Sequence, residues 1–313
     1  MREETRAAVE EATGKPSEVR GKGEPAGERQ GRPTSGPEMS GDSLEAAPAR
    51  RDRPRRVLPG RSLPISDYAA PALLLLAFLI LWQAAVAVFH LPHYILPSPL
   101  RVFQTIGQAW DVLLLHTTRT IVEVLAGFAA ALAAGLGLAV LITYSAVLKR
   151  ALYPLVIASQ TVPVIAIAPL LIVWFGYDMM PKVVMTALIA FFPVVVNTVD
   201  GLETTDADLL DLMRLLRANW WQTFRKVRFP GALPFIFSGM KIAAAVSVIG
   251  AVIGEWVGAD RGLGFLMIRA NAQLRTDLIF ASIVILSAMG VVLFLAVSAL
   301  ERISMPWEKG KGD

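Results

Sequence analysis

The sequence predicts an all-α, polytopic membrane bundle of six transmembrane helices, and three observations carry that reading. The 313-residue chain is 54% hydrophobic, with a mean hydropathy of +0.53 despite a polar first fifth; a soluble domain averages about 45–50% apolar residues. Six apolar runs approach the roughly 20 residues that a helix needs to cross a hydrocarbon core about 30 Å thick. Basic residues collect in the segments that alternate along the chain, as orientation in a bilayer demands. Cysteine is absent, which removes disulfide frameworks, thiolate metal sites and cysteine nucleophiles.

Residues 1–66 are rich in Glu, Arg, Gly, Pro, Ser and Ala. Such a segment buries too little surface to offset the entropy of ordering, so it reads as a disordered, basic-ended cytoplasmic tail. No apolar h-region precedes Tyr68, which excludes a cleavable signal peptide. Met39 followed by Ser40 offers an alternative start, in which case residues 1–38 lie outside the native protein. The run Arg50, Arg51, Arg53, Arg55, Arg56 and Arg61 reads as a juxtamembrane anchor on anionic lipid, not as a nucleic-acid site.

The membrane domain covers 67–307, with 308–313 as a short cytoplasmic tail. Its spans are expected near Ala70–Phe89, Ile121–Tyr144, Ala151–Phe175, Val183–Val199, Phe235–Val257 and Ile279–Leu300. Six spans put both termini on one side. The segments assigned inside carry about sixteen Lys/Arg against about six outside, so both termini and the stretch 208–234 are expected in the cytoplasm. His90, His93 and His116 fall at or just beyond span ends and read as interfacial polar residues; no metal site is expected.

Within the spans, Gly250, Gly254 and Gly258 recur every four residues, and Gly127, Ala131 and Gly135 do the same. Stripes of this kind let neighbouring backbones approach and read as packing devices. Pro154, Pro163, Pro169 and Pro193 interrupt the third and fourth spans. Each removes a backbone donor, so these helices either line a translocation path or kink to pack. Gln160, Thr161, Pro163, Asn197 and Glu255 are the candidate pathway residues on the first alternative. Glu123, Lys241 and Glu255 lie near enough to an interface to snorkel or pair. No chain of buried carboxylates suggests a proton or sodium relay, which argues against an ion-coupled secondary transporter. Nor do His, Asp and Glu converge at one depth as a membrane-embedded enzyme requires.

Asp208–Pro234 is a basic, amphipathic stretch between two apolar spans. Thr205 is expected to cap a helix, with Asp208 completing a capping box. Leu209, Leu212, Met213 and Leu216 fall at i, i+3, i+4 and i+7 and share one face. Asn219 is expected to stop this helix in a left-handed conformation. A second helix over about 220–227 should end at Pro230 and Pro234. The face fits a groove of a second protein; a pair lying on anionic lipid is the alternative.

This segment resembles the cytoplasmic loop of bacterial ABC-importer permeases, whose pattern runs Glu-Ala-Ala, three residues, Gly, about nine residues, then Ile-x-Leu-Pro. Aligned on Pro230, the acidic position is Asp211, the small pair is Leu212 and Met213, the glycine is Arg217, and the ending is Val227-Arg228-Phe229-Pro230. Arg217 departs from the pattern, so Ala218 and Asn219 are expected to make the turn. Ile95-Leu96-Pro97-Ser98-Pro99, APLLIVWFG (168–176), FFPVVVNTVDGL (191–202) and IGEWVGADRGLGFLM (253–267) resemble the branch with sulfonate, taurine, nitrate, thiamine-precursor and riboflavin permeases. Together the resemblance covers about 68–307.

The resemblance implies a non-catalytic permease subunit in a bacterial cytoplasmic membrane. Its partners would be two ATP-hydrolysing subunits, a periplasmic or lipid-anchored solute-binding protein, and a second permease copy, expected to be identical. Leu209, Asp211, Leu212, Met213, Leu216, Arg217, Ala218, Trp221, Phe224 and Pro230 would contact or shape the ATPase-coupling segment. The chain has no G-x-x-x-x-G-K-[ST] loop, so ATP and Mg²⁺ are expected on the partner and no cofactor on this chain. The quoted strings resemble riboflavin and thiamine-pyrimidine members more than sulfonate and nitrate ones. Riboflavin is therefore the first expected solute, thiamine pyrimidine the second, and a sulfonate, taurine or nitrate the third.

Overall fold

The computed structural model describes residues 64–306, which form helices and their connections with no strand among them. The tail expected over 1–66, the Met39 start and the 308–313 tail fall outside the described residues, except that the first helix already begins at Pro64. In chain order the helices are α1 (Pro64–Val88), α2 (Pro99–Gln108), α3 (Trp110–Tyr144), α4 (Ala146–Ser159), α5 (Val164–Phe175), α6 (Met179–Glu203), α7 (Ala207–Leu215) and α8 (Trp220–Thr223). A π-helical turn (Phe224–Arg228) leads into α9 (Phe229–Gly258), followed by α10 (Leu263–Ala272) and α11 (Thr276–Ser304). Five continuous runs are long and apolar enough to cross a membrane, counting Trp220–Gly258 as one; α4 and α5 make a sixth as a pair bent by 97°.

Three of the expected spans differ in outline, each for a physical reason. The third span is broken, because Pro163 lacks an N–H and biases the residue before it away from helical geometry. The chain closes α4 with short bonds, Gln160 N–H to the Ile157 carbonyl and Thr161 N–H to that of Ala158, and restarts at Val164. The second span starts eleven residues early, at Trp110. At 1.5 Å per residue α3 is about 52 Å long and outruns the hydrocarbon core. His116 thus lies inside α3 and is buried. The fifth span is not separated from the helix before it. Pro230 falls where a π turn, closed by Phe229 N–H on the Phe224 carbonyl, has already shifted the hydrogen-bond register, and Pro234 lies inside α9 without ending it, contrary to expectation. Pro230 sits in the first turn of α9, where a missing donor costs little.

The core is α6 held between α3 and α9, and the glycine stripes are what let it sit there. A methyl group at Gly127 would overlap Thr186 of α6, and one at Gly135 would lie 2.8 Å from the Val194 side chain. From the other side, a methyl at Gly250 would lie 2.7 Å from the Thr186 Cα and one at Gly254 3.0 Å from the Lys182 Cα. Gly239 likewise faces the Pro193 carbonyl and Asn197. Ala131, Ala190, Val194, Ala243 and Ala244 fill the space between with no exposed surface. Gly258 completes its stripe against a different neighbour, Ile172 of α5. By contrast, α1 exposes most of its apolar surface and touches the bundle through Trp82, whose ring meets Phe280 of α11 at 5.5 Å.

These contacts predict a sharp contrast between glycines. Gly127→Val and Gly250→Val each force α6 away from a backbone it touches, a strain of about 1–3 kcal/mol. Both should lower the yield of monodisperse protein several-fold in detergent size-exclusion chromatography. Gly137→Ala, in open space, should leave it unchanged.

Candidate functional site

The segment between α6 and α9 carries most of the sequence-predicted site residues. Asp206 caps α7, its side chain accepting from the Asp208 N–H at 3.0 Å. The expected cap, Thr205, instead donates its hydroxyl to the Leu202 carbonyl. Aspartate outcompetes threonine here because a carboxylate also complements the positive end of the helix dipole. On α7, Leu209, Leu212 and Leu216 form an exposed apolar face, joined by Leu215 at 82% exposure, with Met213 half-buried beside them. Asp211 is exposed and pairs with Arg214 at 2.6 Å, a contact of small energetic weight in solvent.

The turn after α7 is made by Arg217 itself, at φ +52°. Its N–H bonds to the Arg214 carbonyl and that of Ala218 to the Met213 carbonyl, each at 2.9 Å. This is the pair of bonds that ends a helix when the next residue is left-handed. Glycine is usual there; arginine adopts the conformation against steric resistance. Ala218 and Asn219 do not replace it as expected. Asn219 is extended and caps α8, accepting from the Gln222 N–H at 2.8 Å while Gln222 accepts from its N–H at 2.9 Å.

Stacked aromatic rings join this segment to the bundle. Trp220 stacks on Phe224 at 5.1 Å and meets Tyr144 of α3 edge-on at 5.0 Å. Phe224 is buried with Leu202, Ala232 and Ile236. Trp221 stacks on Phe224 at 5.7 Å but is 57% exposed, on the outer side of that pile. Pro230 is half-buried just beyond the π turn. The structure thus brings Leu209, Leu212, Leu216 and Trp221 to the surface and fixes their base through Trp220 and Phe224.

The candidate pathway residues do not converge. Gln160, Thr161 and Pro163 are exposed at the α4–α5 break. Asn197, half-buried on α6, donates its side-chain amide to the Pro193 carbonyl at 2.8 Å. Glu255 lies at the end of the bundle opposite α7 and is buried, with 1% exposure. Its carboxylate accepts from the Thr120 hydroxyl at 2.6 Å and from the Gly264 N–H.

Around Glu255 the structure assembles a buried polar cluster that corrects the expectation of no convergence. His116, Thr120 and Glu123 of α3, Lys182 of α6 and Glu255 of α9 are all buried, Lys182 among the largest fully buried side chains. Glu123 pairs with the Arg119 Nε at 3.1 Å and the Lys182 Nζ at 3.8 Å. Lys241 pairs separately with Glu301 of α11. None of these charges snorkels to an interface alone. Lys182 was missed because it directly precedes the apolar run and reads as a flanking residue. The available signal was Gly254, which makes room for the Lys182 backbone. Among the described residues no group of His, Cys, Asp and Glu is arranged to hold a metal ion.

Comparison with known proteins matches residues 127–307 to the family described as binding-protein-dependent transport system inner membrane component. The chain is 38% identical over 240 residues to the formylaminopyrimidine transport permease protein ThiX of Halalkalibacterium halodurans, covering 76% of this chain and 96% of that one. It is 36% identical over 264 residues to the riboflavin transport system permease protein RibX of Chloroflexus aurantiacus, covering 84% and 96%. Its fold resembles a chain of the MetNI methionine ABC transporter in inward-facing form. The TM-score is 0.56 at 19% identity, over 63% of this chain and 97% of that one.

The strained turn after α7 is directly testable. Arg217→Gly should stabilise the protein by about 1 kcal/mol by relieving the left-handed backbone, whereas Arg217→Val, branched at Cβ, should destabilise it by at least as much. Thermal unfolding of the purified protein separates the two; equal midpoints would mean that the turn stores no strain.

Proposed function

The chain belongs to the binding-protein-dependent transport system inner membrane components, the permease subunits of ABC importers, and we propose that it carries a flat heteroaromatic vitamin or vitamin precursor inward. It is a multi-pass inner-membrane protein. Riboflavin and a formylaminopyrimidine are the two solutes to test first. Both contain a pyrimidine ring, and permeases named for each share more than a third of their aligned residues with this chain. The same motif strings that resemble those branches favour them over sulfonates, taurine and nitrate.

The observation that carries the mechanism is the exposed apolar face of α7. Leu209, Leu212 and Leu216 point away from the bundle while the helix is fixed at both ends. In this reading the face seats in a groove of an ATP-hydrolysing partner, with Trp221 at its edge and Arg217 setting the angle between α7 and α8. In this reading both termini and α7 lie in the cytoplasm, the side that the basic flanks favour. ATP and Mg²⁺ stay on the partner, and this chain binds no cofactor. Two ATPases serve a pair of identical permeases, and an external binding protein delivers the solute. Closure of the ATPases moves α7, and the helix that starts at Trp220 transmits the movement into the membrane as a rigid body.

Leu212→Asp and Trp221→Ala should leave the protein membrane-inserted while weakening ATPase association about thirty-fold, the effect of losing roughly 2 kcal/mol at an interface anchor. Co-purification and ATP-dependent uptake both report it, and unchanged uptake would refute the coupling role. In vesicles holding the whole complex, labelled riboflavin or formylaminopyrimidine should accumulate with ATP. Saturable sulfonate or nitrate uptake with neither heterocycle would overturn the choice of solute.

A further inference from the structure

The first turn of α10 is capped from elsewhere in the protein. Its cap residue is Gly262, which has no side chain to offer, so the leading N–H groups are bound by other helices. The Gly262 N–H donates to His116 Nδ1 and the Leu263 N–H to Thr120 Oγ1, each at 2.9 Å. The Gly264 N–H donates to Glu255 Oε2, and the Thr120 hydroxyl donates to Glu255 Oε1. A side chain at Gly262, where φ is +126°, would overlap the Glu255 carboxylate. One turn along α3 from Thr120, Glu123 meets Arg119 and Lys182, and Lys182 backs onto Gly254 in the turn before Glu255. Four helices therefore meet in one buried cluster at the end opposite α7.

Moving α10 off this seat would strip three buried amides of their acceptors and take one donor from the buried Glu255 carboxylate, a cost that grows in a low dielectric. The Glu123 Oε2 and Lys182 Nζ lack hydrogen-bond partners, so the pair holds by charge and is sensitive to losing either member. We propose that this cluster is a latch that holds α10 against α3 and α9, with Glu255 as the positioning residue and Lys182–Glu123 as its charge counterweight. Release of the latch accompanies opening of that end of the bundle. The transport part of this inference rests on the importer reading; the latch itself does not.

Hydrogen exchange on the assembled importer complex tests it. In the unmodified protein the amides of 262–265 should exchange slowly. Thr120→Val, which removes the bridging hydroxyl, should speed their exchange at least ten-fold and raise the ATP hydrolysed per solute moved several-fold. Thr120→Ser should restore both. Lys182→Met should behave like Thr120→Val, and the charge-balanced Glu123→Gln, Lys182→Met double variant should return exchange to within about two-fold of the original. If Thr120→Val merely lowers yield and leaves exchange at 262–265 unchanged, or if the double variant exchanges faster than Lys182→Met, the latch is refuted. Should no solute be taken up even by the unmodified complex, the importer reading fails while the exchange comparison still judges the latch.

Discussion

The arrangement depends on backbone approaching backbone where α6 passes between α3 and α9. Inside a bilayer, burying apolar side chains gains little, because lipid is as apolar as leucine; association rests on close van der Waals contact and on satisfied polar groups. Gly127 and Gly135 on α3, with Gly250 and Gly254 on α9, give α6 that contact from both sides. The buried charges follow from the same geometry. Lys182 occupies the first turn of α6, where the helix dipole disfavours a cation. It is tolerated because Gly254 admits its backbone and Glu123 faces its ammonium group. A larger residue at 254 would push Lys182 away from the carboxylate that balances it.

The connecting segment solves a different problem, that of attaching a surface helix rigidly to a membrane one. Capping bonds and Arg217 fix α7 at both ends, and the capping box at Asn219 starts α8 without slack. From Trp220 onward the backbone is continuously helical to Gly258, the π turn absorbing the register change before Pro230. Phe224, buried under Trp220 and against Leu202 and Ile236, prevents the start of this helix from swinging freely.

Much of this was legible in the residues. Period and length predicted the spans, four-residue glycine spacing predicted the helix faces that pack, and the i, i+3, i+7 pattern placed Leu209, Leu212 and Leu216 on one surface. Competing local signals were harder to weigh. Thr205 and Asp206 are both good caps, and the match of a carboxylate to the helix dipole decides for Asp206. Pro230 ordinarily ends a helix, yet at the first turn of one it is harmless. The stretch 110–120 mixes apolar residues with Asp111, His116 and Arg119, so the uninterrupted apolar run starts only at Ile121, although a helix need not stop where the bilayer does. The buried cluster was the least visible part. His116, Thr120 and Glu123 share one face of α3 at i, i+4 and i+7 and Glu255 lies close before α10, but no spacing rule joins these two segments to each other or to Lys182. The solute is also poorly encoded, since the exposed Gln160 and Thr161 and the engaged Asn197 form no shared pocket among the described residues.

One helix joins the two ends of the molecule. The run Trp220–Gly258 is about 58 Å long at 1.5 Å per residue. It begins beside the segment that fixes α7 and ends just past Glu255, which holds the first turn of α10. A rod seated this tightly against α6 by glycine contacts resists bending, so displacement at Trp220 appears at Glu255 as tilt or translation. In the proposed latch the three bonds that seat α10 are made or lost together, which is what a switch at this end would need. Movements at the α7 end therefore pass only the π turn and Pro234 before the glycine-seated length of α9 carries them to the groups that seat α10. This accounts for the expensive choice of burying Lys182, Glu123 and Glu255 at a point where apolar side chains would pack more cheaply.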